Sequence, residues 1–298
     1  MLNFFKKAFK DMKENANEIL SIVEYLTSNL TDKNIKTYYK NYLLKIANIY
    51  GTKSLNNFDG LKIVILSNPE DLNASGADLI NNTLYINPKS SDFEYDLYHE
   101  CEHIRTAHNP YKSNLCGTNK LGLGSTYLTA LNEALTEISV VNLIKRQHKK
   151  SIAYTQTKLF VQKFFILLNI PENVLLTYYS NNPNKILELE KLIDNLIGEK
   201  GFFDRFEYFL QTYHDNHLND LDNEIKNFSY IKNKPYGSLK SKQTIFAENI
   251  LNNEIFDTLI KKLASIDVSK SEISKRLKKF EQLQLSIENH FTQTENEK

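Results

Sequence analysis

The chain has 298 residues, 41% of them hydrophobic and 24% charged, a globular composition with room for a sizeable core. Lys+Arg 37 against Asp+Glu 36 leaves a net charge of +1, so bulk electrostatics give no reason to expect a nucleic-acid partner or an anionic membrane surface. The two cysteines, Cys101 and Cys116, form no C-x-x-C pattern, which argues against a disulfide framework and for a reducing, cytoplasmic compartment.

Residues 3–30 carry apolar positions at helical spacing (Phe5, Phe9, Met12, Ile19, Ile22, Val23, Leu26, Leu30). Lys6, Lys7 and Lys10 interrupt the opening stretch, so no signal peptide is expected. No run reaches membrane-spanning length, so no stable membrane insertion is expected either. Thr31-Asp32 reads as a stop followed by a new N-cap, and a second helix runs from Tyr38 to Gly51. The period then changes. Residues 61–66 read as a buried strand between Gly60 and Pro69. Gly76–Ile80 and Thr83–Asn87 flank Asn81-Asn82 as a hairpin, and the edge at Leu84–Asn87 is a candidate to pair with an extended substrate backbone.

Ser91-Asp92 opens a helix whose buried face is Phe93, Leu97, Cys101 and Ile104. A glycine-punctuated loop, 109–126, leads to a helix over 128–147 with Leu128, Leu131, Leu135, Ile138 and Val141 on one face. Beyond 150 every segment reads as helix. Leu159–Leu168 is one, and Pro171 opens the next. A stripe of Ile186, Leu189, Ile193 and Leu196 stops at Gly198. An aromatic run follows over 202–213, Pro235-Tyr236-Gly237 reads as a turn, and two last helices cover 245–263 and 272–291. His214 and His217 are placed at an exposed helix end. The expected fold is α+β and mostly helical, with a small sheet before the histidine-bearing helix and an all-helical C-terminal half. The expected division is a catalytic domain at 1–150 and a helical domain at 151–298.

The chemistry sits in His99-Glu100-Cys101-Glu102-His103, an H-E-x-x-H run. On a helix, positions i and i+4 leave the same face, so both imidazoles can share one metal ion with Glu100 beside it as a base. Catalytic zinc takes three protein ligands and keeps one position for water. Glu133, in Asn132-Glu133-Ala134-Leu135-Thr136-Glu137, is the candidate third ligand. Glu137, one turn on, is placed to accept the spare N–H of a ligand histidine. Tyr127 and His108 are candidate donors to an oxyanion.

The pairing of His99-Glu100-x-x-His103 with Asn132-Glu133-x-x-x-Glu137 resembles the gluzincin metallopeptidases, whose pattern is HExxH followed by a later helix with N-E-x-x-x-D or E-x-x-x-E. The run 131–137 also looks like peptidase-like proteins of low-GC Gram-positive bacteria and their mobile elements. The stretch Leu84–Asn87 leading into the HExxH helix is similar to the ImmA/IrrE-type peptidases. The resemblance spans about residues 75–147. It implies Zn2+, a peptide or protein substrate, and a bacterial metalloprotease with Glu100 as base and His99, His103 and Glu133 as ligands. Two residues depart from the pattern. Glu102 is charged where these families carry uncharged residues, and Arg105 stands where they carry an apolar one. Being i and i+3, the two are expected to pair on a solvent-facing side of the helix. The rival expectation is an inactive or regulatory protein-binding module on a zincin-like scaffold.

Overall fold

A computed structural model describes residues 2–66, 75–90, 92–108, 116, 129–146, 152–226 and 240–296 (backbone only at 2–14, 129, 152–153, 225–226 and 290–296). The fold is predominantly helical, with a three-stranded sheet ahead of the histidine-bearing helix. Two compact units divide the chain, residues 1–114 and 115–298.

The first unit begins with α1 (Leu2–Thr27) and α2 (Lys33–Tyr50). Asp32 caps α2 as its position before the apolar run predicts: Oδ1 accepts from the N–H groups of Asn34 and Ile35, both at 2.9 Å. Gly51 ends it at φ +82°, a conformation that side chains with a Cβ resist. A 3-10 turn (Thr52–Phe58) follows. Helix α2 buries Tyr39 and Tyr42 against Phe58, and Tyr42 also meets the Tyr98 ring of α3 (Phe93–Thr106) at 5.1 Å. Aromatic edge-to-face contacts therefore fix the histidine-bearing helix from one side.

The sheet has the order β1-β3-β2, with β1 at Lys62–Ile65, β2 at Gly76–Asp78 and β3 at Thr83–Ile86. β2 and β3 form the predicted hairpin, with Ala77 opposite Leu84. Asn82 takes φ +43° in the turn, and Asp78 Oδ1 accepts from the Asn81 N–H at 3.0 Å. Two strand expectations change. The segment at Leu84–Ile86 is not a free edge, because β3 pairs with β2 on one side and runs parallel to β1 on the other, engaging both rows of backbone groups. β1 is not buried: Val64 and Ile65 are exposed. β-branched residues announce a strand, and its place in the sheet decides burial; among the described residues β1 has a strand partner on one side only, β3, while Leu84 and Ile86 of β3 are fully buried.

The second unit holds α4 (Thr129–Ile144), α5 (Ile152–Leu167), α6 (Glu172–Tyr178), α7 (Asn184–Ile197) and α8 (Phe202–Lys226). After them come α9 (Lys242–Ile250), a π-helical turn (Leu251–Phe256), α10 (Asp257–Ser265) and α11 (Lys270–Asn296). Its core is aromatic: Phe164 of α5 stacks on Phe206 of α8 at 3.9 Å, and Phe160 meets Tyr213 at 4.9 Å. Helix α4 buries Leu131, Leu135 and Ile138, as their spacing predicts, while Leu128 lies outside the described residues. Gly198 stops α7 at φ +68°, but the stripe inside that helix closes on Ile197 and leaves Leu196 exposed. The aromatic run at 202 does not end at 213. It continues as one 25-residue helix whose buried side is Phe203, Phe206, Leu210, Tyr213, His217 and Leu221. His214 and His217 are therefore mid-helix and buried, not at an exposed end.

The π turn has a readable cause. Ala247, Leu251, Ile255, Leu259 and Leu263 recur every four residues and are all buried. At about 100° per residue such a row drifts around an α-helix by about 40° at each step. One wide turn unwinds that drift and returns Leu259 and Leu263 to the core. Asn252 Nδ2 donates to the Glu248 carbonyl at 3.1 Å, serving an acceptor in the last turn of α9, just ahead of the wide turn.

Candidate metal centre

Helix α3 carries His99 and His103 one turn apart, about 40° around the axis. Their Nε2 atoms lie 3.2 Å from each other, with the rings at 76°. Two nitrogens at about 2.0–2.1 Å from one tetrahedral zinc would stand roughly 3.3 Å apart, so the pair fits a shared ion. One ligand atom each from His99, His103 and Glu133 lies within 4.8 Å of the others. His99 is buried, and His103 and Glu133 are half-buried. This His-His-Glu cluster is compatible with a divalent metal, and two imidazoles plus a carboxylate are the donors zinc takes.

Around α3 the order of side chains is Glu100, His103, His99, Glu102, Arg105, at steps of roughly 40–60°. Glu100 is half-buried on one flank of the histidines. On the other flank Glu102 and Arg105 pair as their spacing predicts, but not in solvent. Glu102 is fully buried and Arg105 is 5% exposed. The guanidinium is bidentate, Nε to Oε1 at 2.9 Å and NH2 to Oε2 at 2.7 Å. Tyr42 donates to Oε1 at 2.8 Å, and the guanidinium lies over the Tyr50 ring at 4.5 Å. Helix α2 covers this side with tyrosines, which is why the pair is dry. Burial works against the Arg105 charge, yet Glu102 outweighs it and raises the guanidinium's pKa. A buried charge pair beside HExxH remains a departure from the gluzincin pattern.

The far end of α3 is held by one side chain. Asn57 Nδ2, from the 3-10 turn, donates to the carbonyls of Ile104, Arg105 and Ala107 at 3.0, 3.1 and 2.9 Å. These are among the acceptors a helix C-terminus leaves over. Cys101 lies in the core, where burial first, then Glu102 and Glu100, push its thiol up; it is a packing residue, not a reactive one. His108 follows the helix end and is half-buried. Tyr127 lies outside the described residues, as does the loop expected at 109–126 apart from Cys116.

Helix α4 presents Glu133, with Glu137 one turn later and buried. Asn132 turns to Cys116, its Nδ2 donating to Sγ at 3.3 Å. Thr136 shares a 2.5 Å hydrogen bond with Tyr179. Two buried residues of the same unit are not assigned to this surrounding by the sequence: nothing singles out Lys158, and His214 reads as an exposed helix end. Lys158 of α5 is buried with Glu137 and Glu172 as its charged partners; burial lowers its pKa and the two carboxylates oppose that. Glu172 is itself gripped by Gln162 at 2.9 Å and Asn142 at 3.4 Å. His214 of α8 is buried, its Nδ1 3.0 Å from Thr157 Oγ1 and its ring stacked at 5.6 Å on Tyr154. The signal for His214 was its place four residues after Leu210 in a long stripe; for Lys158, a lysine directly before the apolar row Leu159–Val161.

No single helix among the described residues is long and apolar enough to cross a membrane. No family model matches the chain, and neither does any curated protein or any solved structure.

Proposed function

We propose that the chain is a zinc-dependent metallopeptidase. The observation that carries this reading is the convergence of His99, His103 and Glu133, three donors of the type and number a catalytic zinc takes. Zinc held there would polarise a scissile carbonyl and acidify water. Glu100, half-buried beside the histidines, takes the proton from the attacking water and passes it to the leaving amine. Glu137 orients a ligand histidine through its spare N–H. Tyr127 donates to the oxyanion. In this reading residues 1–150 form the zincin-like catalytic part, 151–298 a helical part, and the substrate is a peptide or protein met in a bacterial cytoplasm.

The test is zinc content together with cleavage of unstructured peptides by the wild type and Glu100→Gln. The expected result is one zinc per chain in both proteins, with cleavage lowered about 10²–10⁴-fold in the variant. Wild-type protein that takes up no zinc on titration removes the metal reading. Zinc-loaded wild type that cleaves nothing favours the regulatory module on the same scaffold.

A further inference from the structure

The proposed chemistry makes no use of the place where α11 meets the end of α5. A cavity of about 790 Å³ opens there. Ile166 of α5, Ile170 and Pro171 of the link to α6, and the stretch 271–282 of α11 line it. That volume suits a whole organic molecule or a short peptide, not a lone ion.

The apolar wall follows from how α5 ends. Asn169 takes φ +57°, the left-handed conformation that closes a helix. The Ile170 N–H then reaches back to the Phe165 carbonyl at 2.9 Å, and the Asn169 N–H to that of Ile166 at 3.0 Å. This turn sets Ile170 and Pro171 beside Ile166 in the lining. The Leu167 carbonyl has no part in that pattern, and Arg276 of α11 donates to it through a terminal nitrogen at 2.7 Å. Arg276 Nε also donates to Glu272 at 3.1 Å. Glu272 is the acid among the described lining residues, so its charge is already taken.

Lys275, Lys278 and Lys279 remain. All three are exposed, line the cavity, and pair with no carboxylate among the described residues. At positions i, i+3 and i+4 like charges repel, so the cluster opposes its own helix until an anion arrives. In a chain of net charge +1 this is a local field, not a general one.

The lining narrows the choice of anion. It holds no aromatic side chain among the described residues, so it gives a nucleobase no face to stack on. Between residues 271 and 282 the helix rises about 16 Å, far longer than one phosphate and about five residues of extended chain. Its concave shape and isoleucine wall suit an inserted chain better than a flat bilayer. The second unit supplies no such occupant itself. Its stretches 117–128, 147–151 and 227–239 contain no aspartate or glutamate, and α11 carries Glu295 about 20 Å beyond Gln282.

We propose that this groove binds an acidic peptide segment of another molecule, its carboxylates on Lys275, Lys278 and Lys279 and an aliphatic end against Ile166, Ile170 and Pro171. Arg276, bonded to α5, holds the two walls together. The inference stands apart from the metal reading, since none of these residues belongs to the His-His-Glu cluster.

The experiment follows the fluorescence anisotropy of a dye-labelled peptide, two leucines followed by five glutamates, titrated with the full chain. Chelator is present throughout, so no metal-dependent cleavage intrudes. Wild type should bind the peptide, and more weakly as salt is raised. Lys275→Gln, Lys278→Gln and Lys279→Gln together should weaken binding about tenfold or more, each exposed pair adding a part. A second triple, Lys53→Gln, Lys62→Gln and Lys191→Gln, removes the same charge from exposed positions elsewhere and should bind as wild type does. Exchanging the leucines of the probe for serines should weaken binding severalfold. No binding by wild type, an equal loss in both triples, indifference to salt, or indifference to the leucines overturns the proposal. An oligothymidylate or phosphatidylserine vesicles bound more tightly than the peptide, and lost in the first triple, would overturn it in favour of nucleic acid or membrane.

Discussion

The two helices that carry the His-His-Glu cluster each hold a buried carboxylate near a buried cation, arranged in two ways. Helix α3 carries its buried ion pair within itself, Glu102 and Arg105 at i and i+3, with Tyr42 completing the acceptor. Helix α4 carries only the acid, Glu137, and the opposite charge that feels it is the buried Lys158 of α5, whose desolvation Glu137 and Glu172 oppose. An ion pair within one helix is set by helix geometry alone. One between helices exists only after the helices pack. A buried pair of either kind is weak evidence of net stability, because desolvation offsets the attraction. What each does is penalise any packing that separates its partners.

The largest effect that would break this comparison is Arg105→Met. It leaves Glu102 charged in a dry site, and unfolding by denaturant should show a loss of about 3–5 kcal/mol. The double change Glu102→Leu with Arg105→Met should recover most of that loss, since the pair itself contributes little. Lys158→Met should lower the thermal midpoint by less than Arg105→Met. The buried ammonium already carries an unfavourable desolvation that the substitution relieves, and Gln162 and Asn142 still serve Glu172. An equal or larger drop would mean the two anchors are not as different as their geometry implies. Asn57→Ala removes one donor from three carbonyls at the end of α3, and a loss of about 1–3 kcal/mol is expected in the same measurement. The smallest effect is Asp32→Ala, about 1 kcal/mol for an N-cap that serves two N–H groups, with any metal uptake unchanged because α2 holds none of the cluster residues.

Local rules made a good part of this legible. Asp32, Gly51, Asn82 and Gly198 each mark a boundary through their own backbone or side-chain chemistry, and the structure has a cap, a stop or a turn at each. The spacing of His99 with His103 and the carboxylate at Glu133 pointed to a cluster that the structure brings together. The rest depended on what packs against what. Nothing at 102 or 105 announces that Tyr42 and Tyr50 will cover them, so a pair expected in water is dry. Leu84–Ile86 reads as an edge until β1, some twenty residues earlier, takes the other side. His214 looks terminal until the aromatic stripe is followed past Tyr213, and nothing beside Lys158 in the sequence tells that Glu137 and Glu172 will oppose its burial.

The wide turn at 251–256 has a mechanical consequence. Its wider hydrogen-bond loops interrupt the α-helical ladder between the halves 242–250 and 257–265, and wide turns of this kind are where helices kink. Lys163 steadies that turn, reaching Asn252 at 3.1 Å and lying over the Phe256 ring at 4.1 Å. Amide exchange with deuterium should therefore begin at this turn before it reaches the flanking ones, and removing the Lys163 amine should bring it forward.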